Sequence, residues 1–162
     1  MDERELRDQT CFFCGHQEID PEELPQVQLK LTKAVEALIA QGVRYFAVGG
    51  GWGYDMLAAT TVLHFRQQHP DLRLAVVLPC KNLDASWQGH DKREFEQVLN
   101  QADRVMYATE RFYSGCMYKR NRQLAENSGW CVCYLERDAS GTAYTVCYAQ
   151  SVGVRIINLA TM

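Results

Sequence analysis

The stretch VRYFAVGGGWGYDMLAA, Val43 to Ala59, carries the strongest structural signal in the chain. Its apolar run Tyr45–Val48 passes straight into Gly49, Gly50, Gly51 and Gly53, and then into a segment with helical spacing. That order spells strand, tight turn, helix. Glycine at such a turn adopts positive φ and lets another group approach the backbone, while the first helical turn leaves N–H groups that favour an anion. A phosphate cradle and a plain chain reversal fit the turn equally well. The dinucleotide fingerprint G-x-G-x-x-G does not fit, because its third glycine falls on Tyr54 when counted from Gly49 and on Met56 when counted from Gly51. An ordinary NAD dehydrogenase is thereby disfavoured. No Gly-Lys-Ser/Thr follows the turn, so a Walker-type phosphate loop is excluded.

Outward from this unit the same alternation repeats. On the N-terminal side, a charged Met1–Gln9 reads as a frayed, flexible terminus, and Thr10–Cys14 as a first strand. Pro21 and Pro25 frame the entry to a helix running to about Ala40, with Val27, Leu31, Val35, Leu38 and Ile39 on one stripe and Gly42 as its stop. On the C-terminal side come a strand over Leu72–Leu78, ended by Pro79-Cys80, a helix over Asp91–Gln101 and a strand over Arg104–Ala108. A helix over Met117–Glu126, a strand over Trp130–Leu135, a helix over Thr142–Ser151 and a last strand over Val154–Asn158 complete the series. Strands alternating with helices at short spacing predict a Rossmann-like, doubly wound α/β fold, with a mostly parallel sheet and helices on both faces. The expectation is one domain over residues 1–162.

Composition narrows the function classes. At 162 residues and 47% hydrophobic content the chain builds one buried core, and a net charge of −3 gives no overall basic field for nucleic acid. No run approaches the ~18 apolar residues that span a bilayer, and MDERELRDQT lacks the features of a signal peptide. A cytoplasmic protein with no membrane partner is expected. The seven cysteines are an odd number lying largely within predicted strands and helices, where a thiol behaves as a small hydrophobe, so they read as reduced. Cys11 and Cys14 point to opposite faces of their strand whereas Cys131 and Cys133 share one, which argues against a common metal site.

In an open parallel sheet, ligands sit outside the carboxyl ends of the strands. That rule gathers Gly15, His16 and Gln17; Gly49, Gly50, Gly51, Gly53 and Asp55; Pro79 to Trp87; Tyr113, Ser114, Gly115, Met117, Lys119, Arg120 and Asn121; and Asp138, Ser140, Gly141 and Thr142. Ser140-Gly141-Thr142 ahead of a helix is a second phosphate cradle or an ordinary helix cap. Lys119, Arg120 and Arg122 place cations at a helix start, against its dipole, and Arg120 suits a bidentate fork on phosphate. Asp55 serves either as a helix cap or as a ribose ligand. Trp87 either stacks on a base or closes over the core, and His16 is either a titrating group or a satisfied structural histidine.

The segments CFFCGHQ, FAVGGGWGYDMLAA, LPCKNLDASW, YSGCMYKRNRQL, SGTAYTVCYA and GVRIIN, in that order from Cys11 to Asn158, together resemble the YpsA-like family. That family belongs to the SLOG superfamily of LOG phosphoribohydrolases and DprA/Smf DNA-processing proteins. The resemblance implies a Rossmann-like fold and a nucleotide or other phosphate-bearing ligand at the loop edge. The LOG Met-His-Glu-Arg-Lys segment is matched by Met117-Tyr118-Lys119-Arg120-Asn121, which keeps the arginine and lacks the glutamate. The Pro-Gly-Gly-x-Gly-Thr-x-x-Glu segment is matched at Gly141-Thr142, with Thr145 where the glutamate stands, and Gln17 replaces the arginine of Gly-His-Arg. Cleaving a glycosidic bond needs a carboxylate. Hydrolysis would require Asp55, Glu136 or Asp138 in its place, so the resemblance favours a nucleotide-binding sensor, with an N-glycosidase using Arg120 and Asp55 as the alternative. Single-stranded DNA binding in the manner of the DprA relatives ranks third, and self-association or a protein partner is compatible with all three.

Overall fold

A computed structural model describes residues 1–81, 89–136 and 140–162. Six strands form one parallel sheet: β1 (Thr10–Gly15), β2 (Tyr45–Val48), β3 (Arg73–Cys80), β4 (Arg104–Thr109), β5 (Trp130–Tyr134) and β6 (Arg155–Asn158), in the spatial order β4-β3-β2-β1-β5-β6. The helices are α1 (Glu3–Asp8), α2 (Leu24–Ala40), α3 (Tyr54–Arg66), α4 (Gly89–Gln101), α5 (Cys116–Glu126) and α6 (Gly141–Ser151), and the chain ends in a short 3-10 turn over Leu159–Thr161. The Rossmann-like fold expected from the alternation is the fold observed.

Two cores explain the layering. On one face α2, α3 and α4 cover Cys11, Phe13, Phe46, Leu74 and Val76 with Leu31, Leu38, Val62 and Phe95. On the other, α5 and α6 cover Phe12, Cys131 and Cys133 with Leu124, Ala125, Val146 and Ala149. Successive side chains of a strand alternate faces, so Phe12 and Phe13, both fully buried, anchor opposite layers. Each such aromatic contributes about 1.5–3 kcal/mol. Cys11 and Cys14 do fall on opposite faces; Cys14 joins Cys131 and Cys133, its Sγ lying 3.7 Å from that of Cys131. All seven cysteines are free thiols.

Two local expectations change. The N-terminus, expected to fray, forms α1: Asp2 caps it by accepting the Glu5 N–H, Glu3 and Glu5 sit in its first turn, and Arg7 in its last. The Arg7 guanidinium donates to the Ser128 and Val152 carbonyls, and Gly129 N–H donates to the Arg7 carbonyl, so the segment is tied to the base of β5. At the other place, β3 runs through Pro79 to Cys80. Its pairing with β2 ends at Val76, so beyond that point only β4 is a neighbour, and the missing proline N–H breaks no ladder there. Thr109 Oγ1 donates to the Pro79 carbonyl and holds that end.

Candidate functional site

The strand order reverses direction at β1, where the chain goes outward through β2, β3 and β4 on one side and through β5 and β6 on the other. Neighbouring loops there leave in opposite directions, and a crevice opens between them. A cavity of about 500 Å³ occupies it. Its wall comes from the exit of β1 (Cys14 to Glu18), the turn after β2 (Gly49, Gly51, Asp55), one face of α5 (Met117, Arg120, Asn121, Leu124) and the start of α6 (Ser140, Gly141, Thr142, Thr145).

The glycine turn after β2 is filled by protein. A Cβ on Gly53, where φ is +65°, would lie 1.9 Å from the Gln17 carbonyl oxygen, and one on Gly49 would lie 2.5 Å from Arg120 Nη1. Gly50 (φ +78°) faces Leu78, and Gly15 is packed against the buried ring of Tyr54, whose hydroxyl donates to the Val132 carbonyl. The Gly51 N–H donates to Asp55 Oδ2 at 3.0 Å. Asp55 therefore caps the turn that precedes its helix.

The same economy governs the charges. Arg120 donates through Nη1 to the Gly49 carbonyl and through Nε to Asn121 Oδ1, at 2.6 Å, while Nη2 meets the Met117 sulfur at 3.8 Å. The expected bidentate fork is thus largely spent on the protein. Burial lowers the Arg120 pKa and the nearby Asp55 carboxylate partly restores it; burial raises the Asp55 pKa, opposed by Arg120 and the Gly51 N–H. The Asp55 carboxyl and a held guanidinium both line the cavity.

The start of α6 is different. Ser140 accepts the Ala143 N–H at 3.1 Å and the Tyr144 N–H reaches the Ser140 carbonyl, but the N–H groups of Gly141 and Thr142 have no acceptor among the described residues. A Cβ built on Gly141 meets nothing within 4 Å. Thr142 is only 9% exposed and lines the cavity, and its hydroxyl has no hydrogen-bond partner among the described residues. Thr145, by contrast, donates to the Gly141 carbonyl at 3.0 Å.

Of the residues gathered by the strand-end rule, the cavity unites Gly15, His16, Gln17, Gly49, Gly51, Asp55, Met117, Arg120, Asn121, Ser140, Gly141 and Thr142. Gly50, Gly53 and Lys119 stand outside its lining, and Trp87 and Asp138 lie outside the described residues. His16 is buried and its Nε2 accepts the Glu136 N–H at 3.0 Å, which leaves the imidazole proton of the neutral ring on Nδ1. Beside it, the Tyr134 hydroxyl contacts Glu23 Oε2 at 2.5 Å and Glu136 Oε1. Burial, then the two carboxylates, push the phenol well above its ordinary range. Only the position of Tyr134 at the end of β5 marked it; Glu23, at the start of α2, carried no signal.

A family model, that of the YspA SLOG family, matches residues 14–153. A UPF0398 protein of Halalkalibacterium halodurans is 32% identical over 108 residues, covering 65% of this chain and 57% of that protein. The UPF0398 protein YpsA of Bacillus subtilis is 27% identical over 113 residues, covering 69% and 63%. The chain thus spans about six-tenths of the length of these relatives. Among solved structures, DNA processing protein A of Helicobacter pylori, described for its single-stranded DNA binding mode, superposes with a TM-score of 0.65 at 19% identity. That match covers 94% of this chain and 66% of the other.

Proposed function

The chain belongs to the YspA SLOG family, and from that membership we propose that it binds a nucleotide or nucleotide derivative, its phosphate seated on the start of α6. In this reading it works in the cytoplasm as a sensor or regulatory module, with residues 1–162 as one domain. The observation that carries the reading is Thr142: a cavity-lining residue only 9% exposed whose hydroxyl has no partner among the described residues, beside two N–H groups that also lack acceptors, at the positive end of an eleven-residue helix. An oxyanion completes all three donors. Thr145 supports binding over catalysis, because it stands where the LOG resemblance has a glutamate and its hydroxyl is bonded to the Gly141 carbonyl.

Thermal-shift titration with ribonucleoside monophosphates tests this. A compound at 100 times its Kd stabilises the native state by about 2.7 kcal/mol, a shift of a few degrees. The expected result is a shift that weakens in Thr142→Val; no shift with any nucleotide contradicts the reading. One observation favours an N-glycosidase as second reading: the Asp55 carboxyl, pushed up by burial, shares the cavity with Arg120. Release of ribose 5-phosphate that disappears in Asp55→Asn would establish it, and intact nucleotide after prolonged incubation would remove it. Single-stranded DNA is a poorer match, since the net charge is −3 and the cavity arginine is engaged by Gly49 and Asn121.

A further inference from the structure

Flanking the cavity-lining faces of α5 and α6, and outside the lining itself, stand two aromatic rings that neither core absorbs. Tyr118 and Tyr144 are 47% and 42% exposed, with ring centroids 4.8 Å apart and planes at 79°. On α5 the cavity-lining positions are Met117, Arg120, Asn121 and Leu124, a single helical face, and the 100° step per residue puts Tyr118 at the edge of that face, next to Asn121. On α6 the lining positions are Gly141, Thr142 and Thr145, and the same step puts Tyr144 at the edge next to Gly141. The ring pair bridges the two helices alongside their lining faces.

We propose that Tyr118 and Tyr144 are the base-stacking subsite of the cavity, which makes its ligand a nucleoside monophosphate rather than a sugar phosphate or free phosphate; this rests on the seating of phosphate at the start of α6. Nearly perpendicular rings offer an incoming planar base one face and one edge, both favoured geometries for aromatic contact. Tyr144 is held in place, its hydroxyl accepting from Arg122 Nη1 at 3.4 Å. Lys119 and Arg122 flank the pair on α5, and cations beside exposed rings suit an anionic nucleotide better than an apolar partner surface. Asn121 supplies direction: its Oδ1 is taken by Arg120 Nε, and its amide N–H groups, unused among the described residues, remain for ribose or base oxygens.

The test is isothermal titration of the chain with AMP, GMP, CMP, UMP and ribose 5-phosphate, repeated on Tyr118→Ala, Tyr144→Ala and Tyr144→Phe, with sedimentation velocity on each variant. The wild type should bind at least one nucleotide more tightly than ribose 5-phosphate. Either alanine variant should weaken that nucleotide about 5- to 150-fold, the range seen for loss of a stacked base, while ribose 5-phosphate stays within about twofold and Tyr144→Phe behaves as wild type. Equal affinity for nucleotide and ribose 5-phosphate, unchanged by either alanine, overturns the subsite and leaves the phosphate seat standing. Alanine variants that alter only the sedimentation coefficient assign the rings to a protein interface and overturn it likewise. No binding of any of the five compounds overturns both readings.

Discussion

Two turns in this molecule look alike as sequence, GGGWG before α3 and SGT before α6, and they are put to opposite uses. Before α3, the space a side chain would occupy is taken by the Gln17 carbonyl, by Arg120 and by Leu78, and the Gly51 N–H is bonded to Asp55. Before α6, the space beside Gly141 is open, two N–H groups lack acceptors among the described residues, and the neighbouring Thr142 lines the cavity. One turn is a packing device that holds the wall; the other leaves its donors open among the described residues. A glycine-rich turn becomes a binding element only where the protein leaves its donors unspent.

The largest effect that can break this contrast is at Gly53. Alanine there adds a Cβ 1.9 Å from a backbone oxygen at a φ of +65°, and should cost about 3–5 kcal/mol of stability, read as a lower urea midpoint. A midpoint near wild type would show that the turn is not filled.

Next in size is Asp55→Ala, which leaves the Gly51 N–H unsatisfied and Arg120 without its nearby countercharge; it should cost about 2–4 kcal/mol. The isosteric Asp55→Asn isolates the charge. The Asp55 carboxyl lies above its ordinary 3.8, so the folded chain keeps that proton to higher pH than the unfolded chain does. The associated stability is complete below pH 3.8 and is lost as pH rises through the folded value. Urea denaturation at a series of pH values should therefore show wild type losing stability relative to Asp55→Asn as pH rises from 3.8; a difference that is flat or opposite in slope contradicts the burial argument.

At the open turn the effects are smaller and of another kind. Thr142→Val should leave stability within about 0.5 kcal/mol, because its hydroxyl has no partner to lose among the described residues, yet weaken phosphate-ligand affinity about 5- to 10-fold. Gly141→Ala should change stability by no more than about 0.5 kcal/mol, since the new Cβ meets open space. A large stability loss in either variant, measured by the same urea titration, would mean that this turn is as filled as the other.

The sequence made the layers legible and left the contents of the turns hidden. Alternating faces placed Cys11, Cys14, Cys131 and Cys133 correctly, because a strand period of two is a local property. The strand-end rule likewise drew Gly15, Asp55, Arg120 and Gly141 to one edge, where the cavity lies. It could not tell that Gln17, from another loop, fills the space of Gly53, or that the guanidinium of Arg120 turns inward to Gly49. Nor could it pair Glu23 with Tyr134 across 111 positions. These are contacts between elements far apart in the chain, and no local spacing encodes them. The frayed terminus was misjudged for the same reason: the groups that hold α1, Ser128, Gly129 and Val152, come from the far end of the sequence.

Backbone amide NMR, with 15N-labelled chain titrated with inorganic phosphate and then a nucleoside monophosphate, addresses the difference between the two turns at single-residue level. The Gly141 and Thr142 amides should move in proportion to occupancy while the Gly51 amide, bonded to Asp55, stays in place. Shifts confined to the amides of Gly49 to Asp55, with Gly141 and Thr142 unmoved, would contradict the assignment and make the glycine-rich turn the seat after all.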